Sequence, residues 1–311
     1  MCFIVVFDYS PLSTAQSIPA SEKVNSFGVY ILAVKLGFSL WITFPSGKIG
    51  MSIIGRCIMS ILSPSTLFHF TNSLNNLLGI LNNTFYPRYC YDEFDLIDND
   101  QQHFLEDAIP MVCFCDIPLS QLLNHINRYG HYGLGMTKQW GGSKGLNPVI
   151  YFNKNSHLAR NYSVLTNNLL VDNTPTGQAF HNTMGYMKPY EGTLFRKGHR
   201  VKDRIRFYDE HEWRYLPDKS LLTDRGIRGF LQHHQYMNPQ ELADANSKLE
   251  TNDTRLTFQA DDIKYIIISG ENQINQMIEK VRDIKGSRYD TETVDRLLSR
   301  IITVKQIKDD F

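Results

Sequence analysis

The sequence predicts an α+β fold, with a mixed and split β-sheet at the core and helices around it. Three observations support this prediction. The short apolar strand Leu67–Phe70 leads into Leu74–Asn82, whose leucines recur at the 3.6-residue spacing of a helix. Ala108–Cys115 is a second strand of mainly apolar residues. Near the C-terminus, the strand Ile263–Ser269 is apolar enough to be central, and the amphipathic helix Glu271–Ile284 follows it.

The composition is that of a globular protein without overall charge. Of the 311 residues, 42% are hydrophobic, which is enough for a sizeable core. The 32 basic residues balance the 32 acidic ones, so net charge gives no argument for nucleic acid or a membrane surface, although a local basic groove stays open. The five cysteines show no CxxC and no paired metal spacing, so we expect reduced thiols in a cytoplasmic protein.

The first 58 residues differ from the rest of the chain. The stretch Phe27–Phe44 is mostly apolar, but Lys35 interrupts it, and its length is at the short end for a membrane span. We expect residues 1–58 to be an N-terminal extension outside the folded module. It is either upstream sequence translated from an early start codon or a hydrophobic anchor. No linker-like stretch divides residues 59–311, so a single domain without membrane association is predicted there.

The strand around Leu67 carries the first candidate site residues. His69 and Thr71 share one strand face, because side chains alternate with period two. Asn72 or Ser73 is expected to cap the following helix, so both side chains reach the mouth of a strand just before a helix N-terminus. That arrangement can bind a phosphate or an amide-bearing cofactor. The alternative is a plain strand end with a structural histidine.

Three segments further along can contribute to a pocket or a loop. Arg88 lies in a predicted loop after the first helix, where it either meets an anion or is solvated. After a helix over Gln121–Arg128, the glycine-rich and aromatic run Tyr129–Met136 is either a pocket wall or a hairpin. Trp140–Gly145 is predicted to be a turn or loop, and it lacks the spacing of a P-loop.

A second centre of chemistry lies around Glu212. Residues 153–188 are predicted to be mainly helical, and Met187–Gly192 to form a turn. In the segment that follows, strand alternation places Glu210, Glu212 and Arg214 on one face. A glutamate flanked by aromatic residues either serves a ligand hydroxyl or belongs to an exposed edge strand with Glu212–Arg214 charge pairs.

The C-terminal part alternates helices and strands. Asn238 is the expected cap, and Pro239 the first residue, of a polar helix over Gln240–Leu249. Short strands are expected at Leu256–Phe258 and at Ile301–Val304. The sequence has no internal repeat and no low-complexity tract.

Five spaced segments resemble the AbiGi family of bacterial abortive phage-infection proteins. They are Leu67–Thr71, Ile109–Ser120, Gly145–Val149, Glu210–Tyr215 and Ile302–Phe311. They occur in the order that the family has, and the resemblance extends over about four-fifths of the chain, from about residue 59. It implies one component of a two-gene toxin–antitoxin system, labelled the antitoxin in such families. A cognate toxin protein is therefore an expected partner.

The order of the pieces is also similar to DarT-type ADP-ribosyltransferase toxins, which modify nucleic-acid bases using NAD. Their His-x-Thr strand corresponds to His69 and Thr71, and their leucine-patterned helix to Leu77–Leu81. Their Val-Pro-Phe-type strand resembles Ile109–Leu119, and their glutamate on an apolar strand matches Glu212. The similarity implies an ADP-ribosyltransferase-like split sheet, NAD as cofactor, and a nucleic acid or protein as the target of modification.

This second resemblance implies roles for particular residues. Glu212 would stabilise the oxocarbenium-like state or act as a base, and Arg88 would meet the diphosphate, so these two are the expected catalytic residues. His69 and Thr71 would hold the NAD ribose or the nicotinamide amide, and Tyr132 would stack on nicotinamide. No metal is required, and the ten scattered histidines form no metal-ligand motif.

Two functions from different classes follow from these resemblances. The first is a phage-defence enzyme that uses NAD for ADP-ribosyl transfer. The second is a non-catalytic antitoxin that neutralises a nucleotidyltransferase-like toxin by direct binding. An enzyme should lose its toxicity when Glu212 is changed to Gln, whereas a binding antitoxin should rescue cells in spite of that change. Zero net charge and the lack of a basic helix-turn-helix count against a transcriptional regulator.

Overall fold

The computed structural model describes residues 31–34, 37–40, 42–44, 47–49, 64–94, 105–169, 174–196 and 199–310. The chain divides into two compact units, residues 1–61 and 62–311. In the first unit, two antiparallel pairs are β1 (Ile31–Val34) with β2 (Gly37–Leu40), and β3 (Ile42–Phe44) with β4 (Gly47–Ile49). The interpretations of residues 1–58 depend mainly on positions outside the described residues, and they stay predictions.

The second unit contains all the candidate site residues, and its strands and helices alternate along the chain. Its strands are β5 (Thr66–Thr71), β6 (Arg88–Phe94), β7 (Leu105–Cys115), β8 (Tyr132–Thr137), β9 (Asn147–Pro148), β10 (Ile150–Phe152), β11 (Met187–Pro189), β12 (Gly192–Arg196), β13 (His199–Ile205), β14 (Glu212–Tyr215), β15 (Leu231–Gln232), β16 (Ile263–Ile268) and β17 (Ile301–Thr303). Its helices are α1 (Leu74–Asn83), α2 (Leu122–Tyr129), α3 (Lys138–Ser143), α4 (His157–Leu169), α5 (Pro175–Met184), α6 (Lys219–Asp224), α7 (His233–Met237), α8 (Pro239–Thr251), α9 (Ile274–Lys285), α10 (Thr291–Leu298) and α11 (Val304–Asp310).

Nine of these strands form one sheet, in which β7 is the branching strand. The main order is β17-β16-β8-β5-β7-β14-β9, and β6 and β15 also pair with β7. The first part of β7 pairs with β6 and β15, whereas Val112–Cys115 pairs with β14, and Cys115 also faces Phe68 of β5. Pro110, which cannot donate a backbone hydrogen bond, lies where β7 changes partners. The sheet therefore splits at β7.

The sheet is mixed, and each of its faces carries a hydrophobic cluster. β16 and β17 are parallel, whereas β5 and β8 are antiparallel. One cluster packs α1, α9 and α10 against the face that carries Leu134, around Phe85. The other packs α2 and α11 against the face that carries Phe68 and Ile267. The predicted α+β class with a mixed sheet is confirmed.

Close approach of β8 to β5 explains the glycine-rich run. Gly133 pairs with Phe70, and a Cβ atom there would lie 2.7 Å from the His69 carbonyl oxygen. Gly130 has a φ of +126° and lies against the Thr71 backbone, so the turn from α2 into β8 requires glycine. Most of the run is therefore an inner strand between β5 and β16, and not a hairpin.

Several local predictions are wrong. The strand expected over Leu256–Phe258 is only an isolated bridge between Leu256 and Phe85. Trp140–Gly145 is not a loop, because α3 covers Lys138–Ser143 and the Thr137 hydroxyl caps it by accepting from the Trp140 backbone N–H. Met187–Gly192 is not a simple turn, because Met187–Pro189 forms β11, which pairs in parallel with β10. In the last two segments, contacts with distant parts of the chain outweigh the turn-forming tendency of glycine and proline.

Candidate active site

A cleft of 730 Å³ is lined mainly by β5, α1, β6, β7 and β14. This volume is within the range of small-molecule binding sites in proteins. Four of the five predicted site residues line it, namely His69, Thr71, Arg88 and Glu212. The cleft is therefore the candidate active site.

His69 and Thr71 reach the cleft from the end of β5. The His69 Nδ1 atom lies 2.8 Å from the Cys113 carbonyl oxygen, so Nδ1 carries the proton and donates it. Burial lowers the pKa of His69, which keeps the ring neutral and leaves Nε2 as an acceptor. The Thr71 hydroxyl accepts a hydrogen bond from Asn76 Nδ2 at 2.9 Å. Ser73, one of the two predicted caps, accepts from the Asn76 backbone N–H and so begins α1.

Glu212 and Arg214 lie on the same face of β14, and both are buried. Arg214 Nε donates to Glu212 Oε1 at 2.7 Å. Lys188 Nζ, from β11, donates to Glu212 Oε2 at 2.6 Å. Each oxygen of the Glu212 carboxylate is thus held by a cation. Because β14 lies between β7 and β9 and both side chains are buried, the alternative of an exposed edge strand is wrong.

The buried charges around Glu212 extend to two more carboxylates. Lys188 Nζ also donates to Glu210 Oε2 at 3.0 Å, and the Tyr129 hydroxyl donates to Glu210 Oε1. Arg214 Nη2 donates to Asp92 Oδ2. Glu210 ends a short 3-10 turn before β14, so it reaches this group from outside the strand. We call Asp92, Lys188, Glu210, Glu212 and Arg214 the charged cluster.

Opposite charges control protonation within the charged cluster. Burial acts to raise the pKa of Glu212, but Arg214 and Lys188 outweigh it and hold that pKa well below its usual value. Burial acts in the opposite direction on the two cations. For Lys188, the carboxylates of Glu212 and Glu210 outweigh this effect of burial and raise the pKa. For Arg214, the carboxylates of Asp92 and Glu212 do the same. Glu212, Lys188 and Arg214 are therefore ionised at neutral pH.

The position of the charged cluster favours a functional role over a purely structural one. Buried ion pairs contribute little net stability, because desolvation offsets most of the Coulomb attraction. Clefts that contain several buried ionisable groups with shifted pKa values are typical of functional sites. Here the cluster lines the wall of the cleft, where these charges can face a ligand.

The two remaining predicted site residues are less central. Arg88 begins β6 and is not in a loop, and its guanidinium pairs with Glu250 of α8. Both side chains are nearly half exposed, which places this pair at the rim of the cleft. Tyr132 is outside the lining residues, and its hydroxyl accepts from Gln273 Nε2 at 2.9 Å. The structure thus brings four of the predicted residues together and leaves Tyr132 apart.

Several cleft residues were not expected from the sequence. Lys188 contacts Glu212 from 24 residues away along the chain, and Asp92 contacts Arg214 from 122 residues away. No local sequence pattern therefore indicates either residue. His125 and Tyr129 lie one helical turn apart on α2, and their rings are 4.4 Å apart. That spacing is a signal which sequence analysis can use. Burial and the charge of Lys188 lower the pKa of His125 to about 3, so this ring is neutral too.

The described residues contain neither a group of metal ligands nor a membrane-spanning helix. No group of three or more His, Cys, Asp or Glu side chains there is arranged to hold a metal ion. In the same part of the chain, no helix has the length and the apolar character needed to cross a bilayer. Cys90, Cys113 and Cys115 are free thiols, as expected from the sequence.

Comparison with known proteins agrees with the resemblance seen in the sequence. A family described as "Putative abortive phage resistance protein AbiGi, antitoxin" matches residues 83–269, a region that holds the whole charged cluster. "Abortive phage resistance protein AbiGi" of Lactococcus lactis subsp. cremoris is 30% identical over 257 residues, which cover 73% of this chain and 99% of that protein. No solved structure gives a significant match. The chain belongs to the AbiGi family of abortive phage resistance proteins.

Proposed function

We propose that this chain is a phage-defence protein with an ADP-ribosyltransferase-like fold whose cleft binds NAD. The observation that carries the proposal is the buried Glu212 carboxylate, which Arg214 and Lys188 hold on the wall of a cleft also lined by His69 and Thr71. A protein that acts only by surface contact has no need of such charges, since their burial opposes folding.

The donor set of the cleft suits a dinucleotide. The face of α1 that lines it carries the amides of Asn75, Asn76 and Asn83, which both donate and accept hydrogen bonds, as ribose and carboxamide groups require. Arg88 supplies a positive charge at the rim, where a diphosphate can replace Glu250 as its partner. Such an exchange costs little, because an exposed ion pair contributes only about 0–1 kcal/mol.

Glu212 is suited to electrostatic stabilisation more than to proton transfer. Bound NAD would supply an ADP-ribosyl group, with nicotinamide as the leaving group. A carboxylate whose pKa is held low stays ionised and is a weak proton acceptor. Of the two roles expected from the sequence, stabilising positive charge is therefore favoured over general-base catalysis. Arg214 and Lys188 fix the orientation of this carboxylate.

His69 and Thr71 fit a positioning role. Because Nδ1 of His69 donates to the Cys113 carbonyl, Nε2 can accept a hydrogen bond from a ribose hydroxyl or from the carboxamide. The Thr71 hydroxyl is oriented by Asn76 and still has a proton to donate. Both residues are fixed to the rigid end of β5, which limits the freedom lost on binding.

Calorimetric titration of the full chain with NAD tests the proposal. We expect saturable binding, and His69→Ala should weaken it about tenfold, the loss expected for one hydrogen bond. The matched control is His157→Ala, which removes an exposed histidine of α4 away from the cleft lining and should leave affinity unchanged. Absence of NAD binding by the folded wild-type chain would overturn the proposal, as would equal effects of the two substitutions.

A second candidate function is favoured by the family description, which includes the word antitoxin. In this alternative, the chain neutralises a cognate, nucleotidyltransferase-like toxin by direct binding. Full occupation of both Glu212 oxygens by the protein's own cations suits a cleft that no longer turns over substrate. Growth of cells that express the neighbouring gene separates the two functions. Rescue by wild type and by Glu212→Gln alike supports the antitoxin, whereas toxicity of wild type alone, lost in Glu212→Gln, supports the enzyme.

A further inference from the structure

The charged side chains that line the cleft do not balance. Its described lining contains three cations and four carboxylates, which are Arg88, Lys188 and Arg214, and Asp92, Glu210, Glu212 and Glu250. Arg88 and Glu250 neutralise each other at the rim, so the formal excess of one negative charge lies in the charged cluster. His69 and His125 add no charge, because burial lowers both pKa values. A cleft with this excess favours a ligand group that carries a positive charge.

Asp92 is the member of the charged cluster that a ligand can reach. Its side chain is 28% exposed, whereas those of the other four members are at most 9% exposed. Arg214 Nη2 donates to Asp92 Oδ2, and within the described part of the chain no donor contacts Oδ1. Both oxygens of Glu212 and both of Glu210 have donors. Asp92 Oδ1 is therefore the acceptor that the cluster offers to a cation.

One face of β6 leads from the rim of the cleft to Asp92. Arg88, Cys90 and Asp92 occupy alternate positions of this strand and share one face, and all three line the cleft. Arg88 and Asp92 are four residues apart, which is about 13 Å along an extended strand. A ligand group that enters beside Arg88 must extend over this distance to meet Asp92. A long side chain that ends in a cation suits this path.

An aromatic wall stands beside Asp92. Tyr236 of α7 lines the cleft, and its ring is stacked on Tyr91 with the centroids 5.3 Å apart. The Tyr91 hydroxyl lies 2.9 Å from His233 Nδ1, which fixes this wall. Burial raises the pKa of Tyr236, and the neighbouring Cys90 and Asp92 raise it further. A guanidinium can stack on such a ring and donate to a carboxylate, whereas an ammonium has no flat face to stack.

We infer that the cleft binds an arginine side chain, which a partner protein inserts beside Asp92. The guanidinium donates to Asp92 Oδ1 and stacks on Tyr236, and its charge balances the excess negative charge of the charged cluster. Because the site is concave, the partner presents this arginine on a protruding segment. The inference goes beyond the proposed function, since it assigns a second ligand that binds whether or not the cleft takes NAD.

Ligand-observed NMR titration of the full chain with N-acetyl-L-arginine amide tests the inference, without NAD in the buffer. The matched ligand is N-acetyl-L-citrulline amide, which has nearly the same shape but no charge. We expect saturable binding of the arginine derivative and about tenfold weaker binding of the citrulline derivative, because the hydrogen bond between two charged groups is lost. N-acetyl-L-lysine amide should also bind more weakly, because its ammonium does not stack.

Substitutions test the two contacts separately. Asp92→Asn should weaken binding of the arginine derivative about tenfold, and the new side chain keeps an oxygen for Arg214. The matched control, Asp283→Asn, makes the same change at an exposed position of α9 outside the described cleft lining and should leave the affinity unchanged. Tyr236→Ala should weaken binding about threefold or more, whereas Tyr236→Phe should bind like wild type because the ring remains.

Circular dichroism checks that every variant is folded. The inference is overturned if folded wild-type protein does not bind the arginine derivative, if the citrulline derivative binds as tightly, or if Asp92→Asn and Asp283→Asn have equal effects. Equal binding of the lysine derivative would overturn the assignment to arginine. None of these results depends on NAD, whose binding is measured in its own titration, so the inference and the proposed function can fail separately.

Discussion

Two Arg–Glu pairs line the same cleft in opposite environments. Arg214 and Glu212 are buried, with side chains only 2% and 7% exposed, and Lys188 and Asp92 complete their contacts. Arg88 and Glu250, at the rim, are 45% and 46% exposed. Water and salt screen the rim pair, whereas little solvent reaches the buried pair. The same two residue types therefore form a fixed, buried ion pair at Arg214–Glu212 and an exposed ion pair that a ligand can replace at Arg88–Glu250.

This difference locates the centre of the site. A buried charge that loses its partner is not stabilised by solvation, so the members of the charged cluster depend on one another. The rim pair has no such dependence and can open for an anionic group of a ligand. In the function that we propose, Glu212 therefore carries the chemistry, and Arg88 takes part in capture of the ligand at most. Four predictions test this difference between the buried and the exposed pair, in order of decreasing effect.

The largest effect is expected from Arg214→Met. This change leaves Glu212 and Asp92 without their buried guanidinium and should lower the free energy of unfolding by about 3–5 kcal/mol. Urea unfolding measures it, and Arg88→Met is the control that removes the same group at the rim. Similar losses in the two variants would show that the buried cluster is not coupled in the way its geometry indicates.

Acid should weaken the fold through Glu212. The pKa of Glu212 is lowered in the folded chain, so its ionised form stabilises the fold fully above the ordinary glutamate pKa of about 4.3. That contribution is lost as pH falls from there through the lowered folded value, by up to about 1.4 kcal/mol per pH unit. The free energy of unfolding is measured from about pH 6 down to about two units below that ordinary pKa. It should decline more steeply with falling pH for wild type than for Glu212→Gln. Parallel curves of unfolding free energy against pH for the two proteins would contradict this expectation.

A smaller loss is expected when the Tyr129 hydroxyl is removed. It donates to Glu210 beside Lys188, and a hydrogen bond to a charged group contributes about 1.5–3 kcal/mol. Tyr129→Phe should reduce stability by that amount in thermal or urea unfolding. Tyr289→Phe, which removes an exposed hydrogen bond to Gln259, should cost less than about 1 kcal/mol. If the order of these two effects were reversed, Glu210 would not be part of the cluster.

The smallest effect belongs to the rim. Arg88→Met should change the free energy of unfolding by less than about 1 kcal/mol at low salt. At 1 M salt, where the Debye length is about 3 Å, the difference from wild type should vanish. A loss that persists at high salt would mean that Arg88 is held as firmly as Arg214.

Much of the fold was predictable because its signals are local. Ser73 begins α1 as expected, and Asn238 and Pro239 begin α8, since capping depends on a few neighbouring residues. The helix α3 was missed because Gly141 and Gly142 suggest a loop. The Thr137 cap was the signal that could have revealed it. Its formation also depends on burial of Trp140, which comes from tertiary packing.

The lining of the cleft was predictable only where its residues lie in a short sequence motif. His69, Thr71 and Glu212, which line the cleft, are predicted from the sequence because each lies in a recognisable strand pattern. Lys188 was not found, because the role of a lysine in a three-residue strand depends on which strand it meets. The same limit explains why the sequence indicates Arg88 as a candidate but does not show that Arg214 is buried. Burial, which separates the two arginines, is a property of the assembled sheet and not of either segment.

The most direct measurement compares the same Glu→Gln substitution in the buried cluster, at Glu212, and at the rim, at Glu250. Cells that carry the chain with its neighbouring gene are challenged with phage, and plating efficiency is compared for wild type, Glu212→Gln and Glu250→Gln at equal soluble protein levels. We predict that Glu212→Gln abolishes protection and that Glu250→Gln, the same change at the rim, retains it. Full protection by Glu212→Gln would contradict the assignment of the function to the charged cluster.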